Sequence, residues 1–386
     1  MQVGENEFHK PENIGLSLYK NGFGPFIGVP DSTLQVILNN VCNVDANSVL
    51  YSAHESQATA EAIGMALTGK MRPVVFLQNS GLGNLINPVA TLSSSQVFNV
   101  PLLYLIGWRA SPGSLDEPQH IIGGLVTTAI LKQLNINYGI LNSENAHELT
   151  LLARHFLQQN EPYAILVPHD LFQNYQKKLV GKDDEKINDL DTLQLTNRLT
   201  LEILIKSLPQ DTFFITTTGY LSREMHALRA NEKDLRIVGG MGLALSVAIG
   251  LAHSNPNHFF CVLDGDGAAL MHLGGLATAA SRKPKNLLHC LINNGVHLST
   301  GGQPLCNESV DYCKIAQACG YTATYKAVCE NSLKSALEKI GEIRKFEQSI
   351  QFLEIKTNKT FSKSLPRPSQ SPYENAQLFS KSLLKF

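Results

Sequence analysis

Short, almost uniformly apolar runs alternate with longer amphipathic stretches through the first half of this chain. The apolar runs predict β-strands at 48–52, 74–78, 102–106 and 164–167. The stretches between them predict helices at 57–68, 82–93 and 146–158. Strands that are apolar on both faces and separated by helices are typical of a parallel sheet covered by helices on both sides. The pattern therefore predicts an α/β fold.

The same alternation returns in the second half of the chain. It predicts strands at 213–216, 259–263, 287–292 and 351–355. It predicts helices at 222–229, 243–253, 268–281, 311–319 and 332–345. Between the halves, the segment KKLVGKDDEKINDLD is dense in both signs of charge and reads as a linker. We predict a first domain at 1–178, a linker at 179–194 and a second domain with a C-terminal tail at 195–386.

Composition narrows the class of partner. The 32 basic and 33 acidic residues give a formal net charge of -1, so we expect neither nucleic acid nor a membrane surface as a partner. The uncharged stretch 74–108 contains polar residues and prolines that a membrane span would tolerate poorly. The seven cysteines form no CxxC pair, and the first residues lack the pattern of a secretory signal. The sequence predicts a cytoplasmic protein.

Two predicted strands of the second half end in polar turns. The first ends in Gly265, Asp266 and Gly267, and the second ends in Asn293, Asn294 and Gly295. In sheets of this type, ligands bind at the carboxyl ends of the strands, so we expect the two turns to meet in one crevice. The helix predicted to start at Ala268 offers free N–H groups to phosphate, and the carboxylate and amide supply hard oxygen ligands. Together they indicate a magnesium–diphosphate site.

A Gly-Asp-Gly triplet alone is a common turn, but the 25 residues between Gly267 and Asn293 make the pair of turns more specific. This spacing resembles the motif of thiamine diphosphate enzymes. The resemblance implies that Mg²⁺ is bound by Asp266, Asn294 and the main-chain carbonyl of Val296.

A dinucleotide site is the obvious competitor, because VGGMGLAL is also rich in glycine. Gly240 and Gly242 are followed by Leu245 where the dinucleotide fingerprint requires Gly or Ala, so we rank this alternative lower. In the thiamine family, the segment resembles the turn whose bulky apolar residue, here Met241, supports the bent cofactor. A glycine-packed buried helix remains the structural alternative.

Thiamine diphosphate enzymes also need a carboxylate beside N1′ of the aminopyrimidine, where it promotes loss of the C2 proton. The segment YSAHESQATAEAIGMALTGK places Glu55 where a strand passes into a helix, as the family's glutamate is placed. Glu61, on the body of that helix, is interpreted as a solvated or packing charge. Without the resemblance, Glu55 would be an ordinary acid in the first turn of a helix.

Further motifs narrow the family. GVPDS, QNSGLGN, GWR, DEPQH, TTG, SRE and STGGQ occur in this order and are similar to those of phosphonopyruvate decarboxylase and the related sulfopyruvate decarboxylases. The resemblance covers essentially the whole chain. It implies two thiamine diphosphate-binding domains and decarboxylation of an anionic 2-oxo acid. It also implies self-association with active sites at the subunit interface.

The resemblance assigns residues to the site. The implied cofactor-binding residues are Glu55, Asn79, Thr218, Gly219, Gly240, Met241, Gly265, Asp266, Gly267, Ala268, Asn294 and Val296. The implied substrate-binding residues are Asp31, Ser32, Arg109 and His120. Arg109 is the candidate partner of the phosphonate, and a structural ion pair with Asp116 or Glu117 is the alternative. His120 and His297 are either proton carriers or packed, hydrogen-bonded side chains.

The chain departs from the family pattern at several positions. It has HESQA for NEGNA, Ala110 for Gly after GWR, GGMG for GSMG, and Leu298 where an aspartate is usual. We predict 3-phosphonopyruvate as the substrate and phosphonoacetaldehyde and CO₂ as products. Sulfopyruvate or another 2-oxo acid is the alternative substrate, and a non-catalytic regulatory relative is a further one. Leu298 leaves the choice of substrate open.

Overall fold

The structure, a computed structural model, describes residues 10–67, 69–172, 195–346, 350–360, 365 and 368–385. The chain divides into two compact units, Met1–Glu185 and Lys186–Phe386. The linker predicted at 179–194 lies outside the described residues, and the predicted domain limits stay a prediction. Among the described helices, none combines the length and the apolar character needed to cross a bilayer.

The first unit, unit 1, is a parallel sheet with helices against it. Its strands are β1 (Phe26–Gly28), β2 (Val49–Tyr51), β3 (Val74–Gln78), β4 (Leu103–Trp108), β5 (Asn137–Ile140) and β6 (Tyr163–Pro168). Its helices are α1 (Ile14–Lys20), α2 (Gln35–Val44), α3 (Glu55–Ala66), α4 (Leu82–Pro88), α5 (Pro118–Gln133) and α6 (Ala146–Gln158). The strand order is β2-β1-β3-β4-β6-β5, and neighbouring strands are parallel.

The second unit, unit 2, has the same construction. Its strands are β7 (Phe213–Thr216), β8 (Asp234–Arg236), β9 (Phe260–Gly265), β10 (Leu287–Asn293), β11 (Val296–His297), β12 (Gln303–Pro304), β13 (Ala323–Ala327) and β14 (Gln351–Lys356). Its helices are α7 (Asn197–Ser207), α8 (Tyr220–Leu228), α9 (Ala244–Ser254), α10 (Asp266–Met271), α11 (Gly274–Arg282), α12 (Tyr312–Cys319), α13 (Glu330–Phe346) and α14 (Pro372–Leu383). The parallel sheet runs β13-β14-β10-β9-β7-β8, and β11 and β12 form a separate antiparallel ribbon.

The two sheets share one topology. When the strands of each main sheet are numbered from its first strand, both sheets have the order 2-1-3-4-6-5. In this order the chain reverses its direction of travel between the first and third strands, which opens a crevice at their carboxyl ends. Each unit therefore offers a ligand position at the same edge of its sheet.

Burial explains why the central strands form where the sequence predicts them. The side chains of β3 alternate between two apolar cores of unit 1: Phe76 packs with Phe26 on one face, and Val75 with Ile27 on the other. The predicted α/β fold, with mainly parallel sheets flanked by helices, is confirmed. The edge strand β5, mostly exposed, and the short strand β1 have no clear apolar run and are not predicted.

Two segments, each predicted to form one continuous helix, are divided in the structure. The helix predicted at 268–281 is two helices, α10 and α11, separated at His272, where φ is -129° and ψ is 49°. Gly274 and Gly275 follow the break, and glycine is a poor helix former. The helix predicted at 82–93 ends at Pro88 and continues as a short π-helix over Val89–Ser93. A proline at this position removes a backbone donor, which favours a change in helix geometry.

Candidate functional site

The carboxyl edge of unit 2 is organised around Asp266. This residue begins α10 directly after β9 and is 5% exposed. Its Oδ1 accepts a hydrogen bond from Gly267 N at 2.7 Å. Its Oδ2 accepts hydrogen bonds from Asn294 N at 3.0 Å and Gly295 N at 2.7 Å. The carboxylate therefore joins the two polar turns that the sequence predicts to meet, although they lie on different strands.

Burial raises the pKa of Asp266 to about 6, although the N–H groups of Gly295, Gly267 and Asn294 partly oppose this shift. A cation placed beside the carboxylate would favour its ionised form and offset the cost of burial. Asn294 Oδ1 accepts from Val296 N at 3.0 Å, which fixes the amide oxygen in the same turn. The donor set of carboxylate, amide and main-chain oxygen fits the preference of Mg²⁺ for hard oxygen ligands.

A pocket at this edge brings together most of the cofactor residues predicted in unit 2. The predicted residues that line it are Thr218, Gly219, Met241, Gly265, Asp266, Gly267, Ala268, Asn294 and Val296. Gly240 is not among the lining residues; it lies in the same turn as Met241 and has φ of 62°. Gly219 caps α8 with φ of 98°, a conformation that favours glycine, so the backbone there turns without a side chain.

The pocket also contains residues that sequence reasoning did not assign to the cofactor. They are Asn197, Thr217, Tyr220, Ile292, His297, Leu298, Ser299 and Leu221. Burial lowers the pKa of His297 to about 4, so this imidazole is neutral at neutral pH. No charged group accompanies burial as a cause of this shift. Leu298 stands in the wall of the pocket, where the family pattern has a carboxylate.

A buried carboxylate outside the pocket holds the second polar turn. Glu354 on β14 is fully buried and accepts from Asn293 Nδ2 at 2.8 Å. Lys326 Nζ lies 3.4 Å from its Oε2, and Lys356 Nζ lies 3.5 Å from its Oε1. Two ammonium groups thus compensate the buried charge. Glu354 orients Asn293, the residue that precedes the predicted metal ligand Asn294.

In unit 1, Glu55 is the first residue of α3 and is 6% exposed. Its Oε2 accepts from Asn84 Nδ2 at 2.7 Å. A Cβ atom at Gly81 would overlap the Glu55 carboxyl group, so the absence of a side chain there leaves room for it. Asn84 and Gly81 belong to the QNSGLGN motif, and this motif therefore serves to hold the glutamate.

Asn79 crosslinks two strand ends of unit 1. Its Oδ1 accepts from Arg109 N at 3.1 Å, and its Nδ2 donates to Arg109 O at 3.1 Å and Thr127 Oγ1 at 3.0 Å. Both amide hydrogens are thereby committed within the unit. The predicted cofactor contact of Asn79 stays a prediction, and the visible role of the side chain is to fix the backbone at Arg109.

Arg109 makes the ion pair that was the alternative to substrate binding. Its Nε donates to Asp116 Oδ2 at 2.7 Å, and its Nη2 pairs with Asp116 Oδ1. Burial opposes ionisation of Asp116, but Arg109 and the N–H of Ala110 outweigh it and hold the pKa of this carboxyl below its usual range. The ion pair is present, and the contact of Arg109 with a substrate stays a prediction.

Other ionisable groups lie near this ion pair. Burial, with Arg109 as the second cause, lowers the pKa of His120 to about 4. The same two causes lower the pKa of His169, a residue that sequence reasoning missed. Asp31 is 1% exposed, and burial raises its pKa to about 6. Ser32 follows Asp31 and is half-buried.

Comparison with known proteins gives the family. Residues 218–347 match the domain family described as thiamine pyrophosphate enzyme, C-terminal TPP binding domain; thiamine pyrophosphate is another name for thiamine diphosphate. The chain is 33% identical over 330 residues to a phosphonopyruvate decarboxylase of Streptomyces viridochromogenes, covering 80% of each chain. It is 32% identical over 363 residues to one from Streptomyces hygroscopicus, covering 91% of this chain and 88% of the relative.

A third relative carries a different name. The chain is 26% identical over 346 residues to a sulfopyruvate decarboxylase of Methanosarcina acetivorans, covering 85% of this chain and 86% of the relative. These similarities extend over most of the chain. The chain belongs to the phosphonopyruvate and sulfopyruvate decarboxylase family, and it is a thiamine diphosphate-dependent decarboxylase.

Proposed function

We propose that this protein decarboxylates 3-phosphonopyruvate to phosphonoacetaldehyde and CO₂, with thiamine diphosphate and Mg²⁺ as cofactors. The observation that carries the proposal is the identity of about one third with two phosphonopyruvate decarboxylases over at least four fifths of the chain. This activity gives the protein a role in phosphonate biosynthesis, in the cytoplasm. The seven cysteines all lie in the described ranges and form no disulfide there, which is consistent with a reducing compartment.

The residues of unit 2 bind the charged end of the cofactor. Asp266, Asn294 and the carbonyl of Val296 would hold Mg²⁺, which would neutralise charge on the diphosphate. The turns at Gly219 and Gly267 present backbone without side chains, so the phosphate oxygens can approach closely. Glu354 keeps the Asn293–Asn294 turn in place through the hydrogen bond at 2.8 Å.

The residues of unit 1 serve in proton transfer with the cofactor and in substrate binding. The carboxyl group of Glu55 would give and take the proton at N1′ of the aminopyrimidine, and Asn84 orients this carboxyl group by donating to Oε2. When bound, thiamine diphosphate supplies an electron sink for the negative charge left by the loss of CO₂. Asp31, Ser32, Arg109 and His120 contact the substrate, with the ion pair to Asp116 fixing the plane of the guanidinium.

One experiment separates the candidate substrates. Purified protein is assayed for turnover of 3-phosphonopyruvate, sulfopyruvate and pyruvate, with thiamine diphosphate and Mg²⁺ present, and its bound metal is measured by mass spectrometry. We expect the highest kcat/KM for 3-phosphonopyruvate and loss of activity on removal of the metal by a chelator. A preference for sulfopyruvate would assign the protein to the activity of its third relative. No turnover by cofactor-loaded protein would favour a regulatory role.

The proposal includes self-association, with Glu55 of one chain and Asp266 of another contributing to each site. Support comes from α5, where Ile121, Ile122, Leu125 and Val126 are exposed on one helical face, Ile122 at 69%. Exposed apolar patches of this kind mark protein interfaces.

Mixing the inactive variants Glu55→Gln and Asp266→Ala tests the shared site. A random mixture should recover up to about one quarter of wild-type activity, because about half of the dimers are hybrids and each hybrid has one intact site of two. No recovery, despite proven hybrids, excludes a shared site.

A further inference from the structure

His169 lies beside Arg109 at the carboxyl edge of unit 1. Trp108 and Pro168 are register partners on the parallel strands β4 and β6, and Arg109 and His169 are the next residues of each chain segment. Neighbouring strands are about 4.8 Å apart, so the two side chains start from adjacent positions. Burial lowers the pKa of His169, and the charge of Arg109 is the second cause.

A hydrogen bond fixes the imidazole of His169. Its Nδ1 lies 3.3 Å from the hydroxyl of Thr33, which is 1% exposed. Burial, followed by Arg109, lowers the pKa of His169, so the ring is neutral and carries one proton. When the Thr33 hydroxyl donates to Nδ1, that proton resides on Nε2, and Nε2–H becomes a donor on the opposite side of the ring.

The buried carboxyl group of Asp31 indicates that the carboxyl edge of unit 1 binds a ligand. Its carboxyl group lies against Gly107, whose missing side chain leaves room for Oδ2. Among the described residues, neither oxygen of Asp31 has a hydrogen-bond partner of normal geometry. Burial raises its pKa and outweighs Thr33, the charge of Arg109 and the N–H of Leu34, which lower it. Buried polar groups are normally hydrogen-bonded, so an unsatisfied carboxyl that is close enough to Arg109 to respond to its charge points to a partner outside the chain.

From this arrangement, we propose that His169 is a further substrate-binding residue and that its Nε2–H donates a hydrogen bond to the anionic group on C3 of the 2-oxo acid. The inference deepens the proposed function and rests on it. Arg109 is already paired with Asp116, so a neutral donor beside it adds directional recognition without a further buried charge. Thr33 acts through His169 and is a positioning residue.

Two substitutions distinguish donation by Nε2 from packing. The amide nitrogen of glutamine can take the place of Nε2, whereas that of asparagine can only take the place of Nδ1. We expect His169→Gln to keep the KM for 3-phosphonopyruvate within about threefold of wild type. We expect His169→Asn to raise it about 10- to 100-fold, the usual effect of losing a hydrogen bond to a charged group. In His169→Asn, the KM for 3-phosphonopyruvate should rise more than the KM for pyruvate, which lacks the anionic group on C3.

Binding provides a readout that is independent of turnover. Calorimetry with the cofactor-loaded protein should show that the affinity for phosphonoacetate decreases from wild type to His169→Gln and then to His169→Asn. The control is His155→Gln on α6, an exposed histidine of the same unit, which should match wild type. Thr33→Val removes the hydroxyl that fixes the ring and should weaken phosphonoacetate binding severalfold. This second variant tests the arrangement even if His169→Asn fails to fold.

The outcomes separate this inference from the proposed function. If wild type binds phosphonoacetate no better than His169→Asn, or if the KM for pyruvate rises equally, the inference is wrong while the decarboxylase activity stands. Equal defects in His169→Gln and His169→Asn overturn donation by Nε2. If wild type turns over none of the 2-oxo acids, the proposed function fails, and the calorimetric series still decides whether His169 binds a phosphonate.

Discussion

The carboxyl edges of the two sheets have the same strand order but different chemistry. In unit 1 the edge carries ionisable side chains, among them Glu55, Asp31, Arg109 and His169, and most are buried or half-buried. In unit 2 the edge consists largely of backbone N–H groups around one carboxylate, Asp266. Under the proposed function, one topology provides a proton-transfer and substrate site in one unit and a metal–diphosphate site in the other.

The pKa shifts at the two edges show how each site is tuned. The charge of Arg109 acts on Asp31, His120 and His169 together, so these groups form one electrostatic network. At Asp266 the main opposition to burial comes from backbone N–H groups, which do not titrate. We therefore expect unit 1 to control turnover and its pH dependence, and unit 2 to control cofactor affinity.

The largest effect is expected for Asp266→Ala. The variant removes the proposed metal ligand and the acceptor of three backbone N–H groups, so the Asn294 turn loses its anchor. Because the loss of an outer partner of a metal ligand costs 10- to 100-fold in metal affinity, we expect the affinity for thiamine diphosphate with Mg²⁺ to fall at least about 100-fold. Calorimetry measures it. Asp211→Ala, which removes an exposed carboxylate of unit 2, is the control. Unchanged affinity in Asp266→Ala would refute the metal assignment.

Glu55→Gln, in unit 1, should have the opposite effect to Asp266→Ala: it should lower turnover and leave cofactor binding intact. Glutamine keeps an oxygen that can accept from Asn84 but cannot exchange a proton with N1′, so the cofactor should bind while turnover falls. General acid–base groups contribute about 10²- to 10⁴-fold, and we expect a loss of kcat in this range. Exchange of the C2 proton, followed by NMR, should slow in parallel. Glu61→Gln, an exposed position on the same helix, should behave as wild type. Normal exchange in Glu55→Gln contradicts its catalytic role.

The sequence predicts the site of unit 2 better than that of unit 1. Asp266 and Asn294 each follow a long buried strand directly, so the rule that strand ends meet at one edge places both without a structure. Glu354 escapes prediction because its contact with Asn293 depends on β14 lying beside β10, which only the strand order reveals.

In unit 1, the partners of the predicted residues lie on other segments of the chain. Asn84 reaches Glu55 across 29 positions, and His169 reaches Thr33 across 136. No local pattern encodes either pair. Asp116 is a different case, because it lies only seven positions from Arg109 and the sequence offers it as the alternative partner.

A smaller effect, on stability, is expected at Asp31. Burial raises its pKa from 3.8 to about 6, so the folded state favours the protonated form. This contribution to stability is fully present below pH 3.8 and is lost as the pH rises through about 6. Relative to Asp31→Asn, wild type should therefore lose on the order of 3 kcal/mol between pH 4 and pH 8. Urea unfolding across this range measures the difference. Parallel stability curves for the two proteins would mean that Asp31 is already compensated within the fold.

The smallest effect concerns Ala110, where this chain has alanine and the family pattern has glycine. Its φ is 51°, in the left-handed region, and its N–H donates to Asp116 Oδ2 at 2.8 Å. The turn that positions the Arg109–Asp116 pair therefore holds an L-residue in a conformation that costs roughly 1–2 kcal/mol. Glycine would relieve this cost, although it loses more conformational entropy on folding.

We expect Ala110→Gly to raise the free energy of unfolding by about 0.5–1 kcal/mol, measured by urea unfolding at one pH. The matched control is Ala129→Gly, an exposed position within α5, where the same substitution should lower the free energy of unfolding by about 1 kcal/mol. The changes in the free energy of unfolding of the two variants are expected to have opposite signs. This difference arises from backbone conformation alone, because both substitutions remove the same side chain. If both variants lose stability equally, Ala110 is not strained. Replacing the family's glycine with alanine at this position would then not destabilise the turn at the carboxyl edge of unit 1.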